Sequence, residues 1–107
     1  MMIFHKLGRL AAYERQHMRF IQTNEDRDIL VAIGRANETG KPIGLKQLVL
    51  ASGIATSTLI RRLKRLMASG VVSWERQDAD GRMVSYRLSA ATQRSFDRYV
   101  KLAQTLF

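Results

Sequence analysis

The chain has 107 residues, 46% of them hydrophobic, and carries 18 Lys and Arg against 9 Asp and Glu, for a net charge of +9. This length predicts one domain with a modest core. The lack of cysteine excludes disulfides and thiolate metal sites. No apolar run approaches the roughly 18 residues of a membrane span, and no secretory signal pattern is present, so we expect a cytoplasmic protein.

The first forty residues are predicted to form two helices. Apolar residues recur at helical spacing over residues 3–21. Thr23 is a candidate N-cap, with Asp26 three residues later in the capping-box position, so a second helix should begin near Asn24. Its predicted buried face consists of Ile29, Leu30, Ile33 and Ala36. Residues 41–43 should be extended, because proline disfavours helix at the residue before it.

Two short helices joined by a glycine-containing turn follow in the sequence. The first is predicted over residues 45–51, Ser52 and Gly53 form the turn, and Thr56 is predicted to cap the second helix. This order is typical of a helix-turn-helix. Because any helical hairpin in a small bundle has the same outline, the pattern alone leaves both interpretations open.

The second of these helices, residues 56–69, is amphipathic and has a cationic polar face. At 100° per residue, an apolar stripe about 120° wide is centred on Leu63. The other members of the stripe are Leu59, Ile60, Leu66 and Met67. The polar side consists of Thr58, Arg61 and Arg65, flanked by Ser57, Lys64 and Ala68, with Arg62 at the other edge. A charged helix face is often only solvated, but such faces usually mix signs, and this one has no acid.

A predicted β-hairpin follows this helix directly. Residues 71–76 and 82–88 have strand composition, and residues 77–81 supply turn residues. A helix-turn-helix followed by a hairpin is a winged helix, so residues 44–69 form the predicted helix-turn-helix and residues 71–88 the wing. Residues 90–107 return to a helical pattern. The predicted fold is therefore mainly α with a small β-hairpin.

Most of the positive charge lies in the middle of the chain. Residues 41–87 carry nine Lys and Arg against three Asp and Glu, whereas residues 1–40 carry six against five. Such a local excess is typical of a surface that binds phosphates. An acidic protein or an anionic membrane surface could use the same charge, so charge alone leaves those partners open.

At two places the sequence resembles the MarR family of winged-helix transcriptional regulators. The wing and following strand of that family are approximately Asp-x-Arg, three residues, an apolar residue, any residue and Leu-Thr. The corresponding residues here are Asp80, Gly81, Arg82, Tyr86, Arg87, Leu88 and Ser89. Residues 57–72 resemble the recognition helix of the family and its glycine exit. Two departures are Gly81, where many members have a second Arg, and Thr92, where the family usually has Gly.

The resemblance implies a homodimer whose helices 56–69 enter successive major grooves, with Arg82 in the minor groove. The chemistry agrees, because Arg61 and Arg65 have forked donors suited to guanine and an arginine at a hairpin tip suits a narrow minor groove. Asp80 is expected to orient Arg82, or else to serve only as a turn former. The residues predicted to bind DNA are Lys46, Thr56, Ser57, Thr58, Arg61, Arg62, Lys64, Arg65, Arg76 and Arg82.

The two ends of the chain, residues 1–22 and 90–107, are predicted to be dimerisation helices. Their apolar stripes are Ile3, Phe4, Leu7, Leu10, Val100, Ala103, Leu106 and Phe107. We expect these stripes to cover each other across a two-fold axis. The alternative is that both helices pack on their own domain.

The predicted function is sequence-specific binding of double-stranded DNA by a dimeric regulator, a repressor that occupies a promoter, located in the cytoplasm with the nucleoid. No motif for catalysis, a metal or a cofactor is present, so we expect no enzyme activity, no metal and no cofactor. A small-molecule effector stays open. The alternatives are a winged-helix module that binds an acidic protein and a phage or plasmid replication or partition factor.

Overall fold

The computed structural model describes residues 2–76 and 83–107, which form five helices and one two-stranded antiparallel sheet. In chain order the elements are α1 (Ile3–His17), α2 (Asn24–Glu38), α3 (Leu45–Ser52), α4 (Thr56–Ala68), β1 (Val72–Arg76), β2 (Val84–Leu88) and α5 (Ala90–Leu106). This order confirms the predicted winged helix-turn-helix. The predicted turn at residues 77–81, including Asp80, and the predicted minor-groove residue Arg82 lie outside the described residues.

The first helix ends earlier than predicted, at His17 instead of residue 21. Met18 leaves the helical conformation, with φ −129° and ψ 46°, and its side chain is buried. The chain then turns, and the Ile21 N–H donates a hydrogen bond to the Met18 carbonyl at 3.1 Å. Ile21 packs against the core from this turn. Apolar spacing alone therefore misplaced the helix end, because residues of a tight turn can bury their side chains too.

The second helix begins as predicted. The Thr23 hydroxyl oxygen accepts a hydrogen bond from the Asp26 N–H at 3.1 Å, which satisfies one of the free N–H groups at the helix start. Ile29, Leu30 and Ile33 are buried, as the predicted inner face requires. This helix forms the centre of the domain, against which α3, α4 and β2 pack.

The helix-turn-helix of α3 and α4 packs on the central helix through a small set of fully buried leucines. Its turn depends on Gly53, whose φ of +71° is a conformation that other residues rarely adopt. The Ser52 hydroxyl donates to the Leu48 carbonyl and accepts from the Ile54 N–H, which closes the turn. The leucines buried at this junction are Leu48, Leu59, Leu63 and Leu66.

The hairpin is attached to the domain along the outer edge of β2. Within the sheet Val72 pairs with Leu88 and Trp74 with Tyr86. On the other side of β2, the Tyr86 N–H donates to the Ile43 carbonyl at 2.9 Å. The Asn37 side chain also lies there: its oxygen accepts from the Leu88 N–H at 3.1 Å, and its NH2 group donates to the Tyr86 carbonyl at 3.4 Å. The side-chain amide of Asn37 thus forms hydrogen bonds with β2 that a neighbouring strand would otherwise form.

The last helix starts on a compact hydroxyl network. Ser89 caps the helix by accepting from the Thr92 N–H, and the Thr92 hydroxyl donates to the Val71 carbonyl at 3.0 Å. Thr92 is buried. The threonine at the position where the MarR family usually has glycine therefore joins α5 to the start of the hairpin.

The first and last helices pack on each other within one chain. The Tyr13 hydroxyl donates to the Ser95 carbonyl at 3.2 Å, and the rings of Tyr13 and Tyr99 are 6.1 Å apart. Leu10 is buried within the single chain, so its assignment to a dimer interface is corrected. None of the helices in the described part of the chain is both long and apolar enough to cross a membrane.

Candidate nucleic-acid interface

One face of α4 is open to solvent and basic. Ser57, Arg61, Lys64 and Ala68 are exposed, and their spacing of four, three and four residues places them in one row along the helix. Among the residues that the structure describes, the side chains of Ser57, Arg61 and Lys64 have no hydrogen-bond or ion-pair partner. We call these three residues the α4 row. It offers one hydroxyl and two cationic side chains to a ligand.

Two further arginines of α4 point instead towards a buried carboxylate on α2. Arg62 donates from Nε to Asp26 Oδ1 at 2.8 Å and from Nη2 to Asp26 Oδ2 at 2.7 Å. Arg65 donates from Nη2 to the same Oδ2 at 2.8 Å and also to the Phe20 carbonyl. We call Asp26, Arg62 and Arg65 the Asp26 cluster. It joins the helix-turn-helix to the start of α2.

The Asp26 carboxylate is charged although its side chain has no exposed surface. Burial alone raises the pKa of such a group, because it disfavours the charged form. The hydrogen bonds from Arg62 and from the Gln22 N–H and the positive charges of both arginines outweigh that effect and lower the pKa of Asp26 from 3.8 to about 2. The cluster is therefore an ion pair at neutral pH.

This arrangement corrects the predicted geometry of the polar face. The sequence placed Arg65 opposite the apolar stripe, but the side chains of Arg62 and Arg65 are only 17% and 27% exposed. The side of α4 that faces the domain is wider than its apolar stripe, because the half-buried Thr58 and these two arginines also lie on it. The solvent-facing side of α4 is consequently centred on the α4 row. Its direction differs by about 50° from the predicted one, which lay midway between Arg61 and Arg65.

The cap of α4 also differs from the prediction, although the helix begins at residue 56 as expected. Thr56 is the first residue inside the helix, Ala55 occupies the N-cap position, and no side chain caps the helix. Thr56 and Ser57 are exposed there, beside backbone N–H groups that point outward from the helix start. Lys46 is exposed near the start of α3. Thr56 thus adds a further donor next to Ser57 of the α4 row.

The hairpin carries an aromatic and cationic pair. Trp74 is 50% exposed, and the Arg76 guanidinium lies 5.4 Å from the centre of its ring. Arg87 forms a loose ion pair with Glu75 at 3.7 Å on the neighbouring strand. Of the predicted wing residues, Arg76 is exposed beside Trp74, and its role in DNA binding, like those of Arg82 and Asp80, stays a prediction.

Sequence reasoning missed two structurally important polar residues, Asp26 as an ion-pair partner and Asn37 as a strand substitute. Asp26 had a sufficient local explanation in the capping box, and its arginine partners lie 36 and 39 residues away. Asn37 had a local explanation as part of a helix exit. A single sequence gives no signal for either long-range contact.

The fold and the exposed α4 row together define a winged helix-turn-helix with a basic outer helix. Solved structures of transcriptional regulators share this fold. The regulator Tm0710 from Thermotoga maritima is 21% identical, with a TM-score of 0.67, over 98% of this chain and 75% of that chain. A MarR-family regulator from Silicibacter pomeroyi is 20% identical, with a TM-score of 0.60, over 98% of this chain and 68% of that chain.

A third solved structure contains a nucleic acid. It is overoxidized AbfR bound to DNA, which is 26% identical, with a TM-score of 0.64, over 96% of this chain and 74% of that chain. No protein-family model and no curated protein matches the sequence. The architecture of the described chain is thus that of MarR-type winged-helix regulators.

Proposed function

We propose that this protein is a non-enzymatic transcriptional regulator that binds double-stranded DNA in a sequence-specific way. The observation that carries the proposal is the α4 row, a basic and acid-free face on the second helix of a helix-turn-helix. A helix of this kind fits the major groove, where an arginine can contact guanine with two hydrogen bonds. The likeness to AbfR, a protein solved with DNA, supports the proposal.

In the proposed complex the parts of the basic surface have different roles. Arg61 contacts base edges, since it is central in the α4 row. Lys64, Ser57, Thr56 and Lys46 contact phosphates beside it. The hairpin, with Arg76 and the predicted minor-groove residue Arg82, follows the DNA backbone.

We further propose that the regulator acts as a homodimer and represses by occupying a promoter. Exposed apolar side chains on α1 and α5 support the dimer. They are Ile3, Phe4, Leu7, Val100 and Phe107. A dimer with two-fold symmetry presents two copies of α4, which should bind an inverted repeat with half-sites about 10 bp apart.

Selection of bound fragments from genomic DNA, followed by salt titration of the selected duplex, tests the proposal. We expect an inverted repeat to be enriched and bound at least about 10³-fold more tightly than random duplex. The logarithm of the binding constant should fall linearly with the logarithm of the salt concentration. Binding to every duplex with equal affinity would contradict sequence specificity, and no binding to any duplex would favour an acidic protein partner.

A further inference from the structure

The segment between α1 and α2, residues 18–23, is hydrogen-bonded to the Asp26 cluster at two residues, Phe20 and Gln22. The Phe20 carbonyl accepts from Arg65, and the Gln22 N–H donates to Asp26 Oδ2 at 3.0 Å. The Gln22 side chain accepts from Arg62 Nη2 at 3.3 Å. Backbone and side-chain groups of the junction thus share one set of hydrogen bonds with α4.

We propose that Arg62 and Arg65 are positioning residues, which hold α4 against the α1–α2 junction through Asp26 and do not themselves contact DNA. The proposal rests on the function proposed above and refines it, because it divides the cations of α4 into two groups. Arg61 and Lys64 meet the DNA, whereas Arg62 and Arg65 set the direction in which α4 presents them.

The geometry of the arginines supports this division. Arg62 uses both Nε and Nη2 on the two oxygens of one carboxylate, the two-point arrangement that fixes a guanidinium in position and direction. If Arg62 turned to a DNA phosphate, Asp26 would lose its closest partner while it stayed buried. Buried charges without partners are strongly unfavourable, so the arginine is retained on Asp26.

The same contacts link α4 to the proposed dimer. The junction at residues 18–23 follows α1 directly, and α1 packs on α5, where the exposed apolar residues lie. A rotation of α1 in the dimer therefore moves the junction, and the Asp26 cluster transmits that movement to α4. The cluster thereby fixes the distance between the two copies of α4, and with it the preferred spacing of the half-sites.

The test compares Arg62→Gln with Lys64→Gln, two variants that each remove one positive charge from α4. Binding is measured over a range of salt concentrations on the selected inverted repeat, on the same repeat with one base pair inserted between the half-sites, and on random duplex. Because both subunits of the proposed dimer carry the change, Lys64→Gln should lower the slope of log affinity against log salt by about 1.8, the value for two phosphate contacts. Arg62→Gln should keep the wild-type slope but reduce the preference for the correct spacing by about fivefold or more.

A slope that falls in Arg62→Gln as it does in Lys64→Gln, with the spacing preference intact, would overturn the inference and leave the proposed function standing. If the wild-type protein binds no duplex, the proposed function and this inference are both wrong. Circular dichroism and urea unfolding of each variant show whether it is folded. Should Arg62→Gln be unfolded, Arg65→Gln provides the same comparison, because it leaves the two-point pair of Arg62 and Asp26 in place.

Discussion

Asp26 carries a negative charge at a place where its side chain has no contact with water. Two guanidinium groups and one backbone N–H supply the hydrogen bonds that water would otherwise give. Such a cluster stabilises the native chain only while the carboxylate is ionised, because the protonated form attracts the arginines much less. The stability of this protein in acid should therefore depend on the ionisation of Asp26.

We predict that unfolding free energy falls in acid because of Asp26. Its pKa is 3.8 unfolded and about 2 folded, so the stabilisation is complete above about pH 4 and is lost as the pH falls through 2. The difference corresponds to about 2 kcal/mol. Urea unfolding between pH 5 and 2 measures it: Asp26→Asn should flatten the profile in this range. Asp28→Asn, which removes an exposed carboxylate from the same helix, should leave the Asp26 contribution unchanged.

We predict that Arg61 recognises bases. Arg61→Ala should weaken binding to the selected repeat by about 1–3 kcal/mol and should weaken binding to random duplex much less, because a base contact discriminates between sequences. Fluorescence anisotropy on both duplexes measures the difference. Arg98→Ala, which removes an exposed arginine from α5, is the matched control and should change neither affinity. Equal losses on both duplexes would show that Arg61 contacts only phosphates.

At the scale of elements, local signals predicted most of the fold. The starts of α2, α3 and α4 agree with the sequence, because a cap, a proline-containing segment and a glycine turn precede them. The predicted end of α1 and the predicted cap of α4 were wrong. Met18 continues the helical spacing of apolar residues in the sequence, although it lies after the end of α1. Thr56 is the first residue inside α4 and not its cap. Which face of α4 points outward depended on Asp26 and could not be obtained from helical spacing alone.

The attachment of the hairpin gives a prediction for one element. Asn37→Ala removes the groups that pair with the Leu88 N–H and the Tyr86 carbonyl, and should cost about 1–3 kcal/mol of unfolding free energy. Amide hydrogen exchange at Leu88 should become faster. Asn24→Ala, at the exposed start of the same helix, is the matched control and should leave Leu88 exchange unchanged. Unaltered Leu88 exchange in Asn37→Ala would show that other contacts hold β2.

The whole molecule is elongated, with principal extents of 55 × 26 × 23 Å. The N-terminal and C-terminal helices of the chain, α1 and α5, pack on each other. Their exposed apolar surface includes Phe4, which is 82% exposed, and Phe107, which is 61% exposed. The Lys6 amine lies over the Phe107 ring. The sequence left open whether these helices pack on each other across a dimer or within one chain. Each helix has two sides, and the structure shows the contact made within the chain while the other side stays exposed.

The final prediction is that this exposed side forms a dimer. Phe4→Glu combined with Val100→Glu places charges on it without disturbing buried residues, since both side chains are exposed in the single chain. Wild-type protein should sediment as a dimer at tens of micromolar, and the double variant as a folded monomer with poor affinity for the inverted repeat. Leu50→Glu, an exposed apolar position on α3 away from this surface, should remain dimeric. A wild-type chain that sediments as a monomer and still binds the full repeat would contradict the dimer, because one α4 reaches only one half-site.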